Sequence, residues 1–176
     1  LGVIHRNLSV EKQALMVSNV KRFVNATVYD PITLSPGQVL KDARKLQEKY
    51  NITGFPVIDD KQRLLGIVTN RDMRFAKHLE TPVEKMMTSS DLAVVLEPFD
   101  IDEARDLMEK RRIEKILVVN SKNVLKGLMT LKDLEQSILN PQASKDELGK
   151  LRVAAASTVG RAGLVRSTAL VEAGVD

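Results

Sequence analysis

An internal repeat constrains the fold of this chain more than any other feature of its sequence. The segments "GIVTNRD" (66–72) and "GLMTLKD" (127–133) place Gly, Thr and Asp at the same spacing, 61 positions apart. The same shift aligns Ala43–Arg44 with Ala104–Arg105, and further apolar and charged matches lie between these points. One register kept over this distance indicates two copies of one supersecondary unit.

Each copy has the same predicted order of elements. In the first copy, a short extended segment ("ATVYDPITLS") precedes a helix with Val39, Ala43, Leu46 and Tyr50 on one face. The strands "GFPVID" and "LLGIVT" then pair as a hairpin, and "NRDMRFAK" begins another helix. The second copy repeats this order with "KILVVN", "LKGLMT" and "LKDLEQSIL". Two such units packed sheet to sheet would share a core and leave a two-fold-like cleft between them.

The repeat divides the chain into four segments. We predict a flank with a strand and a helix at 1–24, the first repeat at 25–80, a linker with the second repeat at 81–138, and a second flank at 139–176. The apolar helical face of the first flank has no partner in the repeats, so we expect these ends to be mobile or to pack against another chain. Because the chain begins at Leu1 rather than Met, we also expect it to be an excerpt of a longer protein.

Composition excludes several function classes. Apolar residues make up 43%, charged residues 28%, and the net charge is +4, which is typical of a globular protein and argues against general disorder. Aromatic residues are 3%, so stacking platforms for nucleic acid are poorly supplied. The chain has no cysteine, which excludes disulfides and thiol nucleophiles within it. His5 and His78 are too far apart to suggest a metal site.

No apolar run is long enough for a membrane span, and we expect a cytoplasmic protein.

The Thr and Asp of each motif have two interpretations. Thr69 and Thr130 end a strand, and Asp72 and Asp133 lie in the first turn of the following helix. As capping residues, the hydroxyl accepts a backbone N–H and the acid favours the positive end of the helix. As ligand-binding residues, the acid accepts hydrogen bonds from a ribose diol, while free N–H groups attract phosphate.

Basic residues stand beside these motifs. Arg71 and Lys132 lie between Thr and Asp in their copies, where they are either phosphate-binding cations or solvated charges of the first turn. The stretch "RRIEK" (111–115) ends in Lys115, and its cations either meet phosphates or cover the end of a helix.

A turn in the first copy completes the candidate site. In "NITGFP" (51–56), Gly54 and Pro56 could hold exposed backbone groups against a base edge, and we include Thr53 and Phe55 as candidate binding residues. No nucleophile–base pair or metal cluster stands out, so we assign no catalytic and no metal-binding residue to this chain.

The duplicated unit with "GIVTNRD" and "GLMTLKD" resembles the tandem cystathionine-β-synthase-type (CBS) repeat, or Bateman module. The flanks "LGVIHRNLSVEKQALMVSNVKRF" and "NPQASKDELGKLRVAAAS" with "ALVEAGVD" resemble segments of the inosine-5′-monophosphate (IMP) dehydrogenase family. The resemblance implies an α+β fold, a tandem CBS-domain pair with short flanking pieces of a (β/α)8 TIM barrel. By matching position, it carries a phosphate or sugar contact over to Thr69, Asp72, Thr130 and Asp133.

The resemblance also implies a function. The parent enzyme oxidises IMP to XMP with NAD through a cysteine nucleophile, and a full barrel needs about 250 residues. This chain has no cysteine and is too short for a full barrel. It is therefore expected to be non-catalytic alone and to act as a regulatory module that binds ATP- or GTP-type purine nucleotides. The resemblance also implies that the parent enzyme is a homo-oligomer, either a tetramer or an octamer.

Two alternatives stay open. The module could be an oligomerisation or interaction platform whose nucleotide sites are degenerate, because Asn70–Arg71 and Leu131–Lys132 differ between the copies. The parent could instead be a GMP reductase with an inserted module, since the two enzymes share features of the barrel.

Overall fold

The computed structural model describes residues 2–3, 7–24, 26–76, 78–147 and 149–176. The chain forms short strands and helices, with several strands following one another directly. In chain order they are β1 (Gly2–Val3), α1 (Val10–Lys21), β2 (Phe23–Val24), β3 (Thr27–Tyr29), α2 (Leu40–Tyr50), β4 (Gly54–Ile58), β5 (Leu64–Thr69), α3 (Asn70–Phe75), α4 (Val83–Met86), β6 (Val94–Leu96), α5 (Ile101–Arg111), β7 (Lys115–Val119), β8 (Leu125–Thr130), α6 (Leu131–Leu139), β9 (Ala154–Ala155) and α7 (Gly160–Glu172).

These elements form two compact units. Unit 1 comprises Leu1–Tyr29 and Asp133–Asp176, and unit 2 comprises Asp30–Lys132. Unit 2 is therefore continuous in sequence, whereas unit 1 is built from both ends of the chain. The division into four segments made from the sequence stays a prediction.

The internal duplication is confirmed by the strand pairing of unit 2. β4 and β5 form an antiparallel hairpin, and β7 and β8 form its counterpart, each with a register irregularity at the equivalent step. Leu34 lies beside Val57 in parallel, and Val95 lies beside Val118 in parallel. Both pairs are related by the shift of 61 that the sequence shows.

Backbone conformation repeats in the same register. Left-handed residues occur at Asp30 and Asp91, at Gln62 and Asn123, and at the C-caps of α2 and α5. Asn and Asp tolerate this conformation better than most residues, which explains their use at the turns. The turn chemistry of the two copies is thus equivalent even where the residues differ.

The two copies meet through a symmetric pair of hydrogen bonds within unit 2. The Leu64 N–H donates to the Asn123 carbonyl at 2.9 Å, and the Leu125 N–H donates to the Gln62 carbonyl at 3.0 Å. Leu64 also packs in one buried cluster with apolar residues of the second copy, among them Leu117. The expected two-fold-like relation between the copies is therefore present.

The glycine of the first motif is explained by a close backbone approach. A Cβ on Gly66 would lie 2.6 Å from the carbonyl oxygen of Thr88, which pairs with Ile67. A side chain at this position would push the linker off the strand, so this glycine serves packing rather than ligand binding.

In unit 1 the two flanks pack on each other. β1 pairs in parallel with β9, and Val17 of α1 packs with Val153 and with Leu170 of α7 in a buried cluster. The expectation that the ends are mobile or need another chain is therefore wrong: the apolar face of α1 is covered by the opposite end of the same chain. Local periodicity identified the face but not its partner, which lies more than a hundred residues away.

A partly exposed ion cluster joins both flanks. The Lys21 ammonium contacts Asp146 at 3.0 Å and Asp176 at 2.7 Å, and Asp176 also accepts the Val153 N–H at 2.7 Å. The bond from Lys21, together with the Val153 N–H, holds the pKa of Asp176 below its ordinary value. Burial alone would lower the pKa of Lys21, but hydrogen bonds to Asp176 and Asp146 outweigh it and raise that pKa.

This cluster predicts acid sensitivity of unit 1. A carboxylate with a depressed folded-state pKa stabilises the fold above its unfolded pKa and loses this contribution as pH falls through the folded value. We expect the free energy of unfolding to fall below pH of about 4, and Lys21→Met to flatten that dependence. Chemical denaturation at pH 7 and pH 3 measures it, with exposed Lys12→Met as the control. An unchanged pH slope in Lys21→Met would contradict the assignment.

Candidate functional site

Four of the sequence-predicted residues come together at one end of the two hairpins in unit 2. Gly54 pairs with Thr69 across β4 and β5, and Lys115 pairs with Thr130 across β7 and β8. Directly opposed residues in antiparallel strands have Cα atoms about 5 Å apart. Each threonine is therefore a direct neighbour of the strand-starting residue of its own copy.

Lys115 connects the two pairs. Its Cδ and Cε lie 2.9 Å from the position that a Cβ on Gly54 would occupy. The side chain of the second copy thus crosses the backbone of the first, and it can do so because Gly54 has no side chain. Lys115 is half-buried, so its stem packs on strand β4. The candidate site is composite, since both copies contribute to it.

The threonine and acid of the first motif bind each other. The Thr69 N–H donates to Asp72 Oδ2 at 2.7 Å, and the Thr69 hydroxyl donates to the same oxygen at 2.6 Å. The acid therefore closes the start of α3, as the capping interpretation expects, although the hydroxyl donates to the acid. This geometry holds Asp72 in a fixed rotamer.

The first N–H of each following helix is already used. The Asn70 N–H donates to the Thr53 carbonyl at 3.1 Å, and the Leu131 N–H donates to the Glu114 carbonyl at 2.9 Å. The helix α3 is only six residues long. The helix starts are thus poorer phosphate sites than the sequence suggests, and Lys115 becomes the principal candidate for anion binding.

The remaining predicted residues are placed differently. Phe55 is fully buried in the core of the first copy, so its side chain cannot face a ligand. Arg71 and Lys132 are exposed. Asp133 belongs to unit 1, where it lines the cavity described below.

One contact of the site was missed from the sequence. Gln47 of α2 donates through Nε2 to Asn70 Oδ1 at 2.6 Å, which fixes the residue after Thr69. Gln47 lies at the polar boundary of an amphipathic helix. Its position one turn before the helix end was the only sequence feature that could have indicated this contact. The second copy has Leu131 in place of Asn70, so this bond is specific to the first copy.

Unit 1 contains a separate cavity of about 950 Å³ between α1, α6 and the segment 140–151. Asp133 and Lys145 are its charged lining residues, and its surface is largely apolar. No residue of the cavity wall was predicted as a site residue except Asp133. The wall is assembled from distant parts of the chain, so local motifs could not reveal it.

The part of the chain that the structure describes carries no metal cluster: no three of its His, Asp or Glu side chains are grouped to hold a metal ion, and His5 lies outside it. Within the same residues, every helix is too short or too polar to cross a bilayer.

Comparison with known proteins identifies the family. The family model for the IMP dehydrogenase / GMP reductase domain matches residues 1–176. The chain belongs to the IMP dehydrogenase / GMP reductase family. It is 43% identical over its whole length to the inosine-5′-monophosphate dehydrogenase of Aquifex aeolicus, and 45% identical to that of Pasteurella multocida. It spans 36% of the length of each of these relatives.

Solved structures support the same family. A GMP reductase from Trypanosoma brucei in complex with guanosine 5′-triphosphate superposes with a TM-score of 0.77 at 32% identity, covering 98% of this chain and 42% of that one. A GMP reductase of the same organism with guanosine 5′-monophosphate gives 0.77 at 31% identity, covering 98% and 37%. A protein described as an acetoin utilization protein from Vibrio cholerae gives 0.61 at 30% identity, covering 68% of this chain and 92% of that one.

Two predictions need correction in the light of this match. The fold class of a tandem CBS-domain pair with short barrel flanks is wrong, because one IMP dehydrogenase / GMP reductase domain model accounts for residues 1–176 and the superposed structures are GMP reductases. The function of a regulatory CBS module is overturned by the same finding, since the chain matches the enzyme domain itself. A local repeat specifies the order of strands and helices, but it does not specify the larger domain that contains them.

NAD is the cofactor that family membership implies for the parent enzyme. The cavity of unit 1 offers one lysine and no glycine in its wall, which does not suit the pyrophosphate of a dinucleotide. We therefore assign no NAD-binding residue to this chain.

Proposed function

We propose that this chain is part of an IMP dehydrogenase, an oxidoreductase that converts IMP to XMP in guanine nucleotide synthesis and reduces NAD. The observation that carries the proposal is the 43% identity over 100% of the chain to an inosine-5′-monophosphate dehydrogenase. Identity to the superposed GMP reductases is lower, at 31–32%. The chain has no cysteine, so a cysteine nucleophile would have to come from another part of the enzyme.

An assay of the complete protein tests this proposal. With IMP and NAD we expect NADH to form, followed by absorbance at 340 nm, with XMP as the second product. The matched control supplies GMP and NADPH to the same preparation. Oxidation of NADPH with GMP, without NADH formation from IMP, would identify a GMP reductase and overturn the proposal.

We further propose that the composite site of unit 2 binds a purine nucleotide. The ammonium of Lys115 would hold a phosphate, and the hydroxyl of Thr130 would bind beside it. Asp72 has a second carboxylate oxygen for a ribose hydroxyl, with Thr53 at the rim. The proposal is supported by the crossing of Lys115 over Gly54 and by the GTP complex of a family member.

Removing the Lys115 charge should weaken nucleotide binding. A charge-assisted hydrogen bond contributes about 1.5–3 kcal/mol, so we expect Lys115→Met to reduce affinity about ten- to hundredfold. Calorimetric titration with ATP, GTP and AMP measures the change, and exposed Lys122→Met is the control. Equal affinity in Lys115→Met and the parent chain would argue against the site.

A side chain on Gly54 should displace Lys115 without unfolding the unit. The Cβ of Gly54→Ala would lie 2.9 Å from Lys115 Cδ and Cε, and the flexible lysine can move aside at little cost. We expect about tenfold weaker nucleotide binding with a nearly unchanged Tm. Gly37→Ala is the matched control, because no atom lies within 4 Å of its Cβ position. Equal nucleotide affinity in both variants would show that binding does not require the Lys115 side chain to cross over Gly54.

Assembly and location are further proposals. Family membership favours a homo-oligomer, which we propose to be a tetramer or octamer in the cytoplasm. Light scattering of the complete protein with and without nucleotide measures its mass, and a monomer under both conditions would contradict the assembly.

A further inference from the structure

The outer surfaces of α2 and α5 in unit 2 carry opposite charges at equivalent positions. Lys41 and Lys45 are exposed on α2. Asp102 and Asp106, which correspond to them under the shift of 61, are exposed on α5. Because residues four apart lie on the same face of a helix, each pair forms one patch, and the sign of the patch is reversed between the two copies.

The cations of α2 have no carboxylate partner in the part of the chain that the structure describes. Lys41, Arg44 and Lys45 form no ion pair there. The helix also carries the exposed acid Glu48, but its exposed cations outnumber this acid. The surface of α2 is therefore positive and open to a second molecule.

The acids of α5 are only partly neutralised. Arg105 contacts Asp102 at 3.0 Å and Asp106 at 4.0 Å, yet the side chains of these acids are 70% and 76% exposed. Glu103 is exposed beside them. One cation thus stands among three acids, and the first two turns of α5 keep a net negative charge.

Exposed apolar side chains accompany the positive patch. The Lys41 N–H donates to the Leu79 carbonyl at 2.9 Å. Gln47 of α2 donates to Asn70 of α3 at 2.6 Å, so both α3 and Leu79 lie alongside α2. Phe75 at the end of α3 is 79% exposed, and Leu79 is 49% exposed. Aromatic residues are enriched where proteins meet, so this surface has the composition of a protein interface.

The relation between the two copies makes the charges self-complementary. The symmetric hydrogen bonds of Leu64 and Leu125 give α2 and α5 equivalent places in unit 2. If a second chain is turned about a two-fold axis, its α5 faces α2 of the first chain, and its α2 faces α5 of the first chain. Such an isologous contact forms every charge pair twice. We propose that two copies of this chain associate in this way, through α2 and α5.

The charge pattern favours a second copy over a polyanion. Nucleic acid or an anionic membrane would be attracted by Lys41 and Lys45 but repelled by Asp102 and Asp106. A second copy places each lysine pair against an aspartate pair and leaves neither patch opposed by a like charge.

The inference adds a contacting surface to the proposed homo-oligomer, but it is argued from the charges of unit 2 alone. Its test uses the 176-residue chain, whereas the proposed activity and assembly are tested on the complete protein. The two can therefore fail separately, since other parts of the enzyme could assemble it without α2 and α5.

Sedimentation velocity of the 176-residue chain tests the association. At about 0.05 M NaCl we expect a reversible dimer with a Kd of about 100 μM or tighter. At about 0.5 M NaCl the charges are screened, so we expect the Kd to rise about tenfold or more. A monomer at low salt, or a dimer whose Kd does not change with salt, would overturn the inference.

Charge reversal assigns the association to the two helices. We expect Lys41→Glu with Lys45→Glu to raise the dimer Kd about tenfold or more, because acids then face acids. Asp102→Lys with Asp106→Lys should have the same effect. A chain with all four substitutions should dimerise again, since each pair is restored with opposite polarity. Double variants that dimerise like the parent chain, or a fourfold variant that stays monomeric although folded, would contradict the proposal.

A second measurement and a control complete the test. Mixing the two double variants should restore a dimer, because each supplies the charges that the other needs; this measurement serves if the fourfold variant does not fold. Lys61→Glu with Lys122→Glu makes the same change in net charge at two exposed turns and should leave the Kd unchanged. Circular dichroism checks that each variant is folded. A rise in Kd in this control equal to that of Lys41→Glu with Lys45→Glu would show a general effect of net charge, and the inference would be wrong.

Discussion

Replacing Gly163 with alanine is expected to destabilise unit 1 by about 3 kcal/mol or more. Gly163 is buried in the second turn of α7, and a Cβ there would lie 1.8 Å from the carbonyl oxygen of Thr158. The obstructing atom belongs to the backbone, so it cannot rotate away as a side chain can. In a helix interior alanine normally stabilises by about 0.5–1 kcal/mol relative to glycine, so the sign of the effect is diagnostic.

Thermal and chemical unfolding measure the change. We expect the Tm of Gly163→Ala to fall by about 10 °C. Gly37→Ala carries the same substitution into open space and is the control. A Tm for Gly163→Ala at or above that of the parent chain would show that the contact with Thr158 is readily relaxed.

Replacing Gln13 with leucine is expected to lower the free energy of unfolding by about 2–4 kcal/mol. Gln13 is fully buried on α1, where Nε2 donates to the Ala156 carbonyl at 2.9 Å and Oε1 accepts from the Arg166 guanidinium of α7. Leucine has a similar size but leaves both partners without this bond. The loss of stability therefore comes from buried polar groups that have lost their hydrogen bonds, and not from a cavity.

A double-mutant cycle separates these contributions. Arg166 also donates to the Leu8 carbonyl at 3.1 Å, so Arg166→Met alone removes two hydrogen bonds. Because Gln13 and Arg166 contact each other, we expect the double variant to lose less than the sum of the single losses. Exposed Lys12→Leu beside Gln13 is the control for added apolar surface. Additive losses would indicate that the two side chains stabilise unit 1 independently.

Much of the local structure could be predicted from the sequence. The predicted hairpins correspond to β4–β5 and β7–β8, because alternating apolar residues and polar turns are local signals. The site was predicted less completely. Asp72 does accept the Thr69 N–H at the start of α3, but spacing did not predict that the Thr69 hydroxyl donates to the same acid or that Lys115 crosses Gly54.

The errors share one cause. The flanks were expected to lack a partner, and the repeat was taken to define the domain, because both judgements used contacts close in sequence. Gln13 and Arg166 are separated by 153 residues, yet they join α1 to α7. The family match likewise depends on the whole chain, flanks and repeats together.

The sequence by itself therefore determined the duplication, its register and the order of strands and helices, since these depend on periodicity and turn residues within each copy. Only the tertiary structure decided which side chains meet. The symmetric bonds between the Gln62 and Asn123 turns bring the copies together, and the packing of α1 on α7 encloses the core of unit 1. Such contacts depend on chain closure over long distances, which no local pattern encodes.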